Sequence, residues 1–148
     1  MRLNLGCGTR MLPEHVNVDR AAKYRPDVVS DIRRPLPFAA QSLDGVVASH
    51  ILEHIGPEYL DVMREIHRVC KPGAAVEVIV PLYSSPKAWA DPTHVRAFSP
   101  TSFAYFDNRW SMGAEYGIRG LFYQESAQEI HGCLYVQMIR EPRDRWVQ

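Results

Sequence analysis

Apolar residues recur along this chain in short runs rather than long ones. Residues 3–5, 16–18, 27–29, 43–48 and 75–80 are runs of Leu, Val and Ile bounded by Gly, Pro and Asp, the pattern of β-strands. The last two, LDGVVA and AVEVIV, read as strands buried on both faces. Between them Tyr59, Val62, Met63, Ile66, Val69 and Cys70 repeat at helical spacing and predict a helix over 57–70 with one buried stripe. Pro57 suits the first helical position and Lys71-Pro72-Gly73 is a stop signal. Glu58, Asp61, Arg64, Glu65 and Arg68 form the opposite, polar face, and His67 beside them reads as surface. Strand, helix and strand in this order make a right-handed crossover between parallel strands. Further on, Ser99-Pro100 predicts the capped start of a short helix through Phe106. Residues 120–129 and 133–140 read as two strands joined at His131-Gly132, so a mostly parallel sheet should finish on an antiparallel hairpin.

The 148 residues suit one domain with one core, burying about 70% of the unfolded chain's surface. Seventeen basic and seventeen acidic side chains cancel, so no global field favours nucleic acid or an anionic membrane. Cys7, Cys70 and Cys133 are odd in number and widely spaced, which argues against a disulfide framework or a cysteine zinc site and for a reducing compartment. No apolar run approaches the roughly 20 residues of a membrane helix, and no signal segment opens the chain. A cytoplasmic protein is expected.

Chemistry is suggested first by LNLGCGTRMLPEHVNVDR at residues 3–20. Gly6 and Gly8 follow the first strand, where bare backbone can approach a ligand, and Asp19 ends the next strand, where ribose hydroxyls are commonly caught. A dinucleotide fingerprint would carry a third glycine for its pyrophosphate, but that position is Met11. Residues 9–15 have room for about two helical turns at most, so the first crossover helix should be shortened or missing. Cys7 reads as a small filler between glycines rather than a nucleophile.

With these features in place the chain resembles the class I S-adenosylmethionine (SAM)-dependent methyltransferases, through "LNLGCG", "NVD", "LDGVVASHILEHI" and "HRVCKPGAAVEVIVP". The resemblance spans residues 3–81 and weakens at "DPTHVRAFSPTSFAYF", residues 91–106. It implies an α/β, Rossmann-like fold: a mostly parallel sheet of about seven strands in the order 3-2-1-4-5-7-6 with strand 7 antiparallel. SAM is the cofactor it implies. Gly6, Cys7 and Gly8 would then form the turn against its methionine portion. Asp19, with Arg20 beside it, would take the ribose hydroxyls, and Asp31 and Ile32 the adenine. Ser49 and His50 would line the place where the methyl group is presented. Arg10 is a candidate partner for the cofactor carboxylate by position alone.

On the acceptor side, Asp91-Pro92-Thr93-His94-Val95-Arg96 offers a base, His94 oriented by Asp91, with His50 as the second choice; an internally bonded loop capped by Asp91 is the competing reading. Trp110, Tyr116, Phe122 and Tyr123 could wall a pocket or simply pack. His50, Glu53 and His54 do not match the H-E-x-x-H zinc pattern and show no third ligand nearby, so no metal is expected. The expected function is methyl transfer to an O, N or C nucleophile of a small-molecule acceptor. The alternative is a non-catalytic SAM-binding module whose open site is covered by a homodimer mate or partner subunit, since the chain starts at its first strand; a nicotinamide-dependent oxidoreductase is the weaker rival.

Overall fold

The computed structural model describes residues 1–141. Seven strands form one sheet in the order β3-β2-β1-β4-β5-β7-β6: β1 (Arg2–Leu5), β2 (His15–Asp19), β3 (Val28–Val29), β4 (Leu43–Ser49), β5 (Cys70–Pro81), β6 (Phe122–Ile130) and β7 (Cys133–Arg140). The first five strands are parallel, while β7 runs antiparallel between β5 and β6. This is the α/β order and the antiparallel ending expected from the sequence. His131 and Gly132 both take positive φ, 50° and 75°, as a tight hairpin turn between twisted strands requires.

Side-chain alternation divides the sheet into two unlike faces. On one face the register stacks Leu5, Ala48, Val78 and Val136 in one row and Leu3, Val46, Val76 and Met138 in the next, all of them buried. Helix α1 (Tyr59–Val69) lays Val62, Met63, Ile66 and Val69 into this core. The short turn Ala104–Phe106 adds Phe106. The other face carries the row Asn17, Asn4, Val47, Glu77, Gln137 and Ser126. That row is mostly polar, and Val47, Glu77 and Ser126 stay half-buried while Gln137 is exposed. β4 and β5 are therefore not buried on both faces, contrary to the reading of their apolar runs: Glu77 and its neighbours let that side meet water.

Several local expectations are corrected. The helix begins at Tyr59 rather than Pro57, because the chain first makes a turn in which the Tyr59 amide donates to the Gly56 carbonyl. It passes straight into β5 at Cys70. His67 is 3% exposed, not a surface residue; it follows Met63 by one turn and meets the edge of the Phe122 ring at 5.7 Å. After Ser99 the chain makes successive tight turns, with Ser102 donating to Ser99, Ala104 to Thr101 and Phe106 to Phe103. No side-chain cap is formed there; the Ser99 amide donates to Ser102 Oγ instead.

The connection from β1 to β2 contains no helix, so its backbone groups are satisfied by side chains. Asn4 and Asn17 are cross-strand neighbours, and Asn4 Nδ2 donates to Asn17 Oδ1 at 2.9 Å and to the Arg10 carbonyl at 2.8 Å. Asn17 Oδ1 also accepts from the Leu12 amide, and Asn17 Nδ2 donates to Asp27. Leaving these buried groups unpaired would cost about 1–3 kcal/mol each. Asn17→Ala should accordingly lower the unfolding free energy by roughly 2–3 kcal/mol, measurable as a reduced urea midpoint with an unchanged slope; a shift of a few tenths would show that water replaces the amide at no loss.

Candidate functional site

At the carboxyl ends of β1, β2 and β4 the loops enclose a cleft of about 500 Å³. This is where ligands sit in open α/β sheets. Gly6 and Gly8, Asp19 and Arg20, Asp31 and Ile32, and His50 all line it, so the four loops that follow β1, β2, β3 and β4 bring seven of the expected residues to one hollow. Cys7 and Ser49 do not line it. The Cys7 side chain is buried, with its thiol directed to the Gly8 carbonyl at 3.6 Å, and burial, then the nearby Asp19 charge, pushes its pKa up. A thiol held protonated in this way is a filler and not a nucleophile.

The turn after β1 depends on glycine for two separate reasons. Gly6 takes φ 69° and Gly8 φ 49°, both in the left-handed region. A Cβ on Gly6 would also lie 2.6 Å from Ile51 Cγ1, whereas one on Gly8 would meet nothing within 4 Å. The Gly6 and Cys7 amides both donate to the Val18 carbonyl, at 2.8 and 3.0 Å, which folds the turn onto the end of β2. There Asp19 receives it: Oδ2 accepts from the Gly8 amide and Oδ1 from the Ala21 amide, each at 2.8 Å. Each carboxylate oxygen keeps a second lone pair for a ligand hydroxyl.

Asp31 is held by Arg33 in a two-pronged pair, with Nη2 to Oδ2 at 2.6 Å and Nε to Oδ1 at 3.0 Å. The guanidinium lowers the Asp31 pKa to about 2. Its charge is thus secure, but part of its acceptor capacity is taken. The cations along the cleft are Arg20, Lys23 and Arg33; Arg10 is exposed and does not line it.

The acceptor-side residues lie at the rim. His50, just past β4, adopts φ 53°, and its Nδ1 lies 3.3 Å from Glu53 Oε1. The 91–96 loop docks onto the turn Leu52–His54 and the residues after it: the Val95 amide donates to the Glu53 carbonyl at 2.9 Å, and Arg96 to those of Ile55 and Gly56. Asp91 Oδ1 accepts from the Thr93 amide and hydroxyl at 2.8 and 2.6 Å, the internally bonded loop weighed above. Thr93 lines the cleft and His94 does not. His94 Nε2 stands 3.9 Å from Asp91 Oδ2 and 4.0 Å from Glu53 Oε1. Glu53 is 1% exposed and faces both histidines. Its spacing of three from His50 was the only hint in the sequence. Of the aromatic candidates, Phe122 is core. Tyr116 lines a second hollow of about 330 Å³ with Tyr59 and Tyr105; Trp110 packs on Tyr105, and Tyr123 under the Arg109 guanidinium.

The three cysteines have free thiols and are buried, and no helix among the described residues is long and apolar enough to cross a membrane. Residues 7–78 match a family described as a methyltransferase domain. No curated protein sequence matches the chain. Among solved structures it is similar to a SAM-dependent methyltransferase from Archaeoglobus fulgidus, with 18% identity, a TM-score of 0.69, and coverage of 94% of this chain and 85% of that one. It is also similar to the 1,6-didemethyltoxoflavin-N1-methyltransferase of Burkholderia thailandensis, solved with its substrate and S-adenosylhomocysteine (16% identity, TM-score 0.68, coverage 95% and 71%). A third is a methyltransferase complexed with the Haloferax volcanii Trm112 activator (14% identity, TM-score 0.69, coverage 95% and 82%).

Two consequences are measurable. Gly6→Ala should destabilise the fold by about 3 kcal/mol, combining left-handed strain with overpacking, and Gly8→Ala by about 1 kcal/mol from strain alone; equal losses in urea unfolding would contradict the Ile51 contact. The Asp31 carboxyl should titrate near pH 2 in carbon-detected NMR, returning toward an ordinary value of about 3.9 in Arg33→Ala. Because this pKa is lowered on folding, the stability it contributes is full above about pH 4 and is lost as the pH falls through about 2.

Proposed function

We propose that this chain, which carries a methyltransferase domain on the class I SAM-dependent fold and has S-adenosylmethionine as its cofactor, moves the activated methyl group to an oxygen, nitrogen or carbon nucleophile of a small-molecule acceptor. The convergence of Gly6, Gly8, Asp19, Asp31 and His50 on one cleft carries this reading. The cleft suits an adenosyl group without phosphates. Residues 9–14 form no helix whose N-terminus could hold a pyrophosphate, and the ribose end is bounded by a carboxylate, Asp19. A Cβ at Gly6 would collide with Ile51, so that turn keeps bare backbone where the methionine portion would lie.

When bound, the cofactor supplies a methyl group on a sulfonium, already a strong leaving group. The chain's own contribution is alignment and exclusion of water, with a base where the acceptor proton is not lost spontaneously. We assign that role to His50 ahead of His94, because the His50 ring lines the cleft. Glu53 Oε1 accepts from His50 Nδ1, which leaves Nε2 free to take a proton. His94 and Asp91, first choice from the sequence, stand one layer behind the rim. The balanced charge and the small cleft support a small acceptor, and three free thiols support work in the cytoplasm.

The half-buried polar face of the sheet favours a second reading, in which a partner subunit completes the domain. Light scattering of the isolated chain, together with product formation from a panel of acceptors, separates the two.

Asp19→Asn should weaken S-adenosylhomocysteine binding by about 10- to 100-fold, the worth of losing charge-assisted hydrogen bonds. Calorimetry showing unchanged affinity would refute the ribose contact. His50→Ala should reduce turnover by about 100-fold with that affinity within a few-fold of the parent; full turnover would remove His50 as the base.

A further inference from the structure

Behind the rim of the cleft, Glu53, His54 and His94 bring one ligand atom each to within 4.8 Å of one another. The charges and lone pairs in this cluster do not balance. His94 Nδ1 lies 3.1 Å from the Ala88 carbonyl, and a carbonyl can only accept, so Nδ1 carries a proton and the neutral ring presents its lone pair at Nε2. That lone pair faces Glu53 Oε1 at 4.0 Å and Asp91 Oδ2 at 3.9 Å. These separations are too long for hydrogen bonds, and they gather three electron-rich atoms around one gap. The Glu53 carboxylate is 1% exposed, and its Oε2 is buried without a hydrogen-bond partner. A buried carboxylate in that state costs several kcal/mol unless a cation compensates it.

We propose that Glu53, His54 and His94 form a binding site for a divalent first-row metal ion of the zinc type, set at the rim of the cofactor cleft. Two imidazoles and a carboxylate are a donor set that such ions take, with a fourth position left open as in catalytic sites. The outer contacts are those of metal-bound histidines: His94 is tied through its far nitrogen to a backbone carbonyl. His54 Nδ1 lies 3.0 Å from Thr93 Oγ1, which itself donates to Asp91. Donor atoms on a tetrahedral ion with bonds of about 2.0–2.1 Å stand roughly 3.4 Å apart, so from separations of up to 4.8 Å the side chains need to close by at most about 1.4 Å. Asp91 Oδ2, 3.9 Å from His94 Nε2, is near enough to fill the open position or to yield it. His54 and Thr93 also line the cleft, so a cation here would attract an acceptor bearing an oxygen donor and lower its proton affinity; that role, unlike the binding itself, rests on the proposed methyl transfer.

The test is titration of the full chain with Zn²⁺ alone by calorimetry, repeated with Co²⁺ to read ligand-field bands in the visible. One Zn²⁺ per chain is expected, with affinity lowered by about 100-fold or more in Glu53→Gln and His94→Gln, beyond the loss typical of outer-contact changes. Far-ultraviolet circular dichroism and urea unfolding, measured on the same samples, show whether each variant is folded, and S-adenosylhomocysteine affinity is read on the parent chain. If Glu53→Gln does not fold, His54→Gln and His94→Gln decide. No zinc uptake by the parent chain, or uptake as tight in the folded variants, overturns the site. Zinc binding without any S-adenosylhomocysteine binding would sink the methyl-transfer reading and leave the metal site standing.

Discussion

A parallel pair of strands joined without a helix must find other partners for the backbone between them, and that constraint shapes the whole cofactor end of this molecule. Asn4, Asn17 and Asp19 meet it. The two asparagines hold the Arg10 carbonyl and the Leu12 amide from below; Asp19 holds the Gly8 and Ala21 amides from the side. The ligand loop is thereby built from side-chain hydrogen bonds rather than from a helix N-terminus. That choice fits a nucleoside without phosphates, because no helix N-terminus between β1 and β2 is there to recognise them.

The same economy explains the two faces of the sheet. With α1 and the Phe106 turn on one side, the apolar rows are concentrated there and reach full burial. The opposite face keeps Asn17, Asn4, Glu77 and Gln137 along its central row. A mostly parallel sheet is ordinarily covered on both sides; here polar side chains make half-exposure tolerable. Asn4 and Asn17, buried at one end of that row, anchor the glycine loop, while Glu77 and Gln137 meet water.

At the acceptor end the organising group is Glu53. Its backbone receives the 91–96 loop through Val95, and its side chain faces His50 and His94. One buried acid therefore positions a histidine that lines the cleft and another that stands behind it.

Much of this was legible from residue order. Strand runs, the helix stripe from Tyr59 to Val69 and the His131-Gly132 turn are local patterns of period and backbone freedom, and they placed the elements; the sheet order followed from the resemblance to the methyltransferases. Gly6, Gly8 and Asp19 are legible because they follow or end neighbouring strand runs at a spacing that leaves little room between, and Asp31 through the family resemblance. Tertiary structure alone decided which groups meet across long separations. His67 is buried because the hairpin residue Phe122 lands on it. Glu53 gains His94 as a second histidine because a loop forty residues later docks on its backbone. Period and propensity carry information over one turn or one strand, whereas the partners of a buried charge are set by packing, which no local pattern encodes.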